Sequence, residues 1–204
     1  MATKHKCFIS YHHANDQIYK DALAAFNKQH DIFIDMSVDS GDIDDTLDDQ
    51  AIREKIRDEY LRDATVTILL VGTETKFRKH VDWELFSSMI DGKLNKKSGV
   101  LVVQLPTTKG TYHTAAHGEK EKESVYPATT VWTTVDSRAE YERRYPYLPD
   151  RIIDNLLSGK AKISVTTWDK LTVVSMLKLL IDLTFEDRAS AVYDLSRTMR
   201  RRNG

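Results

Sequence analysis

The sequence has one cysteine, no excess of either charge and no apolar run long enough to cross a membrane. Cys7 alone excludes an internal disulfide framework and fits a reducing cytosol; inside an apolar run it reads as a small buried hydrophobe rather than a nucleophile. Lys and Arg number 30 and Asp and Glu 31, a formal net charge of -1, so no global field draws the chain to nucleic acid or an acidic membrane. The only basic run, Arg200 to Arg202, reads as a solvated tail. The start, MATKHKCF, lacks the apolar run of a secretion signal, and cytoplasm is the expected location. The greasiest stretch, Leu171 to Phe185, contains Lys178 and Asp182 and falls short of the ~20 residues of a membrane span, so it is expected as a core helix. Neither G-x-G-x-x-G nor a Walker lysine loop occurs, which argues against a dehydrogenase or an NTPase.

What is present is a regular alternation. A chain of 204 residues, 41% hydrophobic and 30% charged, can bury one sizeable core. Lys6 to Tyr11 reads as a buried strand; Tyr19, Ala22, Leu23 and Phe26 then recur at helical spacing, with Asn15 or Asp16 suited to the N-cap. A second strand in Asp31 to Met36 precedes an acidic segment and a helix with Ile52, Ile56 and Tyr60 on one face. Thr65 to Gly72, β-branched and continuously apolar, is expected at the sheet's centre, and Gly99 to Leu105 follows as the fourth strand. The last strand falls in Lys162 to Thr166 or Ala128 to Trp132, followed by an apolar helix from about Asp169 and a shorter one carrying Val192, Leu195 and Met199. This predicts a flavodoxin-like α/β fold with a mostly parallel five-stranded sheet, helices on both faces and a C-terminal helical extension. The expected division is an α/β unit over residues 1–168, with 105–130 a long polar loop or insertion, and C-terminal helices over 169–204 packing on the same domain.

Such sheets bind ligands at the carboxyl ends of their strands. Four separated segments converge there: Ser10 to His13, Asp35, Gly72-Thr73 and Trp83-Glu84. On the third helix Trp83, Phe86 and Ile90 are the expected core stripe, which leaves Glu84 offset by about 100° in or near the first turn, where the helix dipole favours a carboxylate. Capping alone does not account for Glu84, since the position three residues earlier holds Val81 rather than Ser or Thr.

The segments CFISYHH, FIDMSVDSGD, ILLVG and VDWEL, in this order and spacing, resemble the successive signatures of TIR domains over roughly residues 5 to 105. They are most similar to the bacterial TIR-like sensor and synthase subunits of Thoeris antiphage systems. The resemblance implies cleavage of the nicotinamide-ribose bond of NAD, with NAD as substrate rather than cofactor, and no metal. It implies a cyclic ADP-ribose isomer as a diffusible signal to a separate effector protein, with a phage component as candidate trigger and a homo-oligomer left open. The catalytic residue so implied is Glu84, and the substrate-binding set is Phe8, Ser10, Tyr11, His12, His13, Asp35, Gly72 and Trp83. Many relatives carry Trp four residues before the Glu, where this chain has His80, so no ring-stacking role transfers there. A non-catalytic TIR adaptor is the alternative, since fold alone does not establish chemistry.

Two other patterns carry less. Seven Asp residues from Asp35 to Asp49 suggest a calcium loop, but the twelve-residue pattern with its terminal Glu is missing. His113 and His117 have i, i+4 spacing without the Glu of a zinc-protease motif.

Overall fold

The computed structural model describes residues 4–37, 48–92 and 96–204; the acidic stretch considered as a calcium loop lies largely outside them. Its elements run β1 (Lys6–Ser10), α1 (His13–His30), β2 (Ile34–Asp35), α2 (Asp49–Lys55) continuing into a π-helical turn (Ile56–Tyr60), β3 (Val66–Val71) and α3 (Lys79–Ser88). Then come β4 (Gly99–Gln104), α4 (Glu119–Val125), α5 (Arg138–Arg144), α6 (Asp150–Ser158), β5 (Ser164–Thr167), α7 (Trp168–Leu171) and α8 (Val174–Asp187). The sheet order is β2-β1-β3-β4-β5 with every pairing parallel, a flavodoxin-like winding.

Alternation along the strands sorts side chains between two layers. Cys7, Ile9, Ile68, Leu70, Leu101 and Val103 pack on one face with Leu23 of α1 and Leu177, Leu180 and Ile181 of α8. Leu69, Val71, Val100 and Val102 face the other way, against Val81 and Leu85 of α3 and Ile152 and Ile153 of α6. Since both faces are covered, β3 and β4 are buried throughout, which is why they read as unbroken apolar runs.

Several expectations are corrected. The second strand shrinks to two exposed residues, because the Asn27 side chain takes the backbone amides of Ile32 and Phe33 and donates to the Phe33 carbonyl, leaving no ladder to form there. The N-cap of α1 is His12; Asp16 lies within the first turn and is buried. The last strand lies in the 162–166 stretch, and residues 128–132 form none. The polar stretch 105–130 is tied down: Thr114 bridges antiparallel to Val165 on the β5 edge and α4 follows. Helices α5 and α6 appear where no element is expected.

The C-terminal part differs most. Helix α8 packs on β4 as the core helix, but no helix carries Val192, Leu195 and Met199. That segment is irregular, and its backbone is bonded to other elements. Val192 N donates to Lys160 O, Asp194 pairs with the Asn155 amide through both backbone groups, and Arg151 donates to the carbonyls of Arg197 and Thr198. The tail then crosses α3, where Arg200 N donates to Asp82 and Trp83 Nε1 to Arg200 O at 2.7 Å. A tail start read as solvated is therefore clasped. Among the described residues no helix is long and apolar enough to cross a membrane.

Candidate active site

On β1 the alternation that sends Ile9 to the α1 and α8 layer turns Phe8 and Ser10 toward α3. Ser10 ends the strand, and its Oγ donates to Glu84 Oε2 at 2.6 Å across 74 residues of sequence. Both are buried, Glu84 with 4% of its surface exposed. Glu84 is in the second turn of α3, not the first, where Asp82 is the acidic residue. The dipole's help fades beyond the first turn, so the hydrogen bond from Ser10 is the main support for the charged form. Burial prevails over it and pushes the Glu84 carboxyl up to about 7.

The core stripe of α3 is also wider than the expected Trp83, Phe86 and Ile90. Val81, Leu85 and Met89 are sealed against the sheet, while Phe86 and Ile90 are only partly covered. Trp83 is wholly buried beneath the tail, with Phe8, Ile56, Leu61, Ala64 and Met199 around it. Phe8 and Trp83 are thus both buried, in one apolar cluster on the face of the sheet that carries the Ser10-Glu84 pair.

The other candidates separate by layer. Tyr11 packs on the opposite face of the sheet, donates its hydroxyl to Gln17 at 2.6 Å and stacks on the exposed His13. Asp35 sits level with Cys7 on the edge strand, roughly 10 Å short of Ser10 along the sheet. Its carboxylate accepts the Ser37 amide, while Ser37 Oγ accepts the amide of Ile9. His12 follows Ser10 by two residues and caps α1. Its Nδ1 is buried without a hydrogen bond, and burial, then Arg78, hold its basicity down.

Gly72 is constrained rather than open. Its amide donates to Thr75 Oγ1 at 2.8 Å, and a Cβ there would lie 2.4 Å from the Asp16 carboxylate. That amide is taken, so Gly72 offers no free N–H to a phosphate. Asp16, Thr75 and Gly72 form a buried polar knot at the sheet edge that the sequence reading did not assemble. Burial raises the Asp16 carboxyl and the Thr75 hydroxyl partly offsets that. Asp16 sits in the first turn of α1 and reads from sequence as a cap; nothing in the sequence singles out Thr75.

His113 and His117 do not converge: His113 stacks on Tyr126, and His117 Nδ1 meets Asp187 at 2.8 Å. No group of three metal-ligating side chains occurs among the described residues.

Residues 8–110, just over half of the chain, match the family described as Thoeris protein ThsB, TIR-like domain. No curated protein matches the chain.

Proposed function

The chain belongs to the Thoeris ThsB TIR-like domain family, and from that premise we propose that it cleaves the nicotinamide-ribose bond of NAD with Glu84 as the catalytic carboxylate. The observation that carries this reading is the buried Ser10 to Glu84 hydrogen bond of 2.6 Å at the carboxyl edge of the parallel sheet.

The chemistry needs little more. Nicotinamide is a pyridinium cation while bound to ribose, so the C–N electron pair leaves with it, a neutral molecule departs and no acid is required. Positive charge develops on the ribose, as in glycoside hydrolysis, where two carboxyl groups are usual. Ionised Glu84 offsets that charge and accepts from ribose hydroxyls, and Ser10 holds the carboxylate in place. A preorganised group of this kind contributes several kcal/mol, about 10²–10³ in rate. Attack by water, with loss of its proton, gives ADP-ribose; attack by a nucleophile of the same molecule gives a cyclic isomer. The cyclic product, as a signal to a separate effector, is the outcome proposed here.

A second reading, a non-catalytic TIR adaptor, is favoured by the near-complete burial of Glu84. An enzyme in this conformation must open before NAD reaches the carboxylate, consistent with a resting state awaiting a trigger. Purified protein incubated with NAD, with and without phage-infected lysate, separates the two. Release of nicotinamide with a cyclic product, absent in Glu84→Gln, supports the enzyme. No release even with lysate, or release undiminished by Glu84→Gln, rejects it.

A further inference from the structure

Arg200 and Arg201 of the tail read as solvated in sequence, yet they join a lysine and two other arginines around one cleft. It has a volume of about 310 Å³ between the β3–α3 loop, the start of α6 and the C-terminal tail, and its lining includes Lys76, Arg78, Arg197, Arg200 and Arg201 against two acids, Asp82 and Asp150. The acids are already engaged. Asp82 accepts from Arg151 Nε and Nη2, at 2.8 and 3.0 Å, as well as from the Arg200 amide, and Asp150 faces Arg138 and Arg197.

Three of the cations, Lys76, Arg78 and Arg200, keep donors in hand. Arg78 Nε is buried with no hydrogen-bond partner, its Nη2 reaching only Glu74 at 3.3 Å. Lys76 spends one of its three donors on Pro146 O, and Arg200 forms no side-chain ion pair among the described residues. The tail's uncharged groups, not its charges, deliver Arg200: Arg200 N donates to Asp82, Trp83 Nε1 to Arg200 O, Lys79 N to the Asn203 side-chain Oδ1, and Gly204 N to Phe77 O. Like charges so fixed repel one another, and a multivalent anion relieves that repulsion while satisfying guanidinium donors.

We propose that the cleft between the β3–α3 loop and the C-terminal tail binds a diphosphate-bearing anion. The site is separate from the Ser10-Glu84 pair: Asp82 and Glu84, two residues apart on a helix, point to opposite flanks of α3. Occupancy bridges Arg78 before α3 to Arg200 on the tail, and so tightens the clasp over Trp83.

The test is calorimetric titration of the full chain with inorganic pyrophosphate and, separately, ADP, at low and moderate salt. Saturable binding that weakens with salt is expected, reduced about tenfold by Arg78→Gln and by Arg200→Gln and unchanged by Lys28→Gln at the far end of α1. Equal affinity for the two probes assigns recognition to the diphosphate alone, and tighter ADP adds a nucleoside contact; either supports the site. Failure of both probes to saturate at low salt, or binding that both arginine variants retain, overturns it. No turnover of NAD is read, so the result stands apart from the fate of the proposed activity.

Discussion

Glu84 is a carboxyl held in a place that disfavours its charge, and its titration gives two linked expectations. Its folded value of about 7 lies above the ordinary 4.5, so the folded state keeps a proton that the unfolded chain releases. The stability associated with the neutral carboxyl is fully present below about 4.5 and is lost as pH rises through about 7, on the order of 3 kcal/mol. Urea midpoints at pH 4.5 and pH 8 are expected to fall further apart for the wild type than for Glu84→Gln, which has no charge to bury. On the proposed chemistry nicotinamide release uses the ionised form, so it is expected to rise with pH and level off above about 7. At Gly72, substitution by Ala drives a methyl into the Asp16 carboxylate, 2.4 Å away, and a loss of about 1–3 kcal/mol is expected in the same denaturation assay. The oddity of Glu84 between Trp83 and Leu85 is plain in the sequence; the reason Gly72 is glycine is not, because Asp16 meets it from another element.

Helix α3 shows how an element is fixed from outside itself. Its apolar residues alone do not define a face, since it is covered by the sheet, the π-helical turn and the tail. Asp82 and Arg151, both buried, join it to α6, and the guanidinium also stacks over Phe86 at 4.6 Å. Removing one member leaves the other charge uncompensated, so Arg151→Ala is expected to cost about 3–5 kcal/mol. It should also free the tail, speeding tryptic cleavage at Arg197 and Arg200; the pair replacement Asp82→Leu with Arg151→Met should cost less. Helices α5 and α6 are a different case, because their signals are local. Ser137 accepts the Glu140 amide as the N-cap of α5, a Ser-x-x-Glu spacing visible in the sequence, and Ser137→Ala is expected to cost about 1 kcal/mol by thermal melting. Pro149 and the left-handed Gly159 bracket α6, and Ile152, Ile153 and Leu156 recur at helical spacing between them.

For the molecule as a whole, the parallel sheet is the stable centre and the tail is its outer fastening. Amides of β3 and β4, buried and paired on both sides, are expected to exchange slowest. Truncation after Ala191 removes Met199 from the Trp83 cluster and all the backbone bonds that cross α3. Hydrogen exchange should then rise in α3 more than in β3, with the sheet still folded; equal protection in both chains argues that the clasp holds nothing.

The alternation of the first four strands with helices, the central place of β3 and the approach of Ser10 and Glu84 to one sheet edge follow from the sequence, because periodicity and segment order are local properties of the chain. Which residues share a face at the sheet edge was settled only in three dimensions. Strand alternation sent Ser10 to Glu84 and Tyr11 to the opposite layer, and an edge position left Asp35 short of the pair. The tail's path was decided there too. Its Val192, Leu195 and Met199 spacing suits a helix, but the carbonyls and amides of that segment found partners on α3, α6 and Lys160, and bonds between distant elements leave no trace in local spacing.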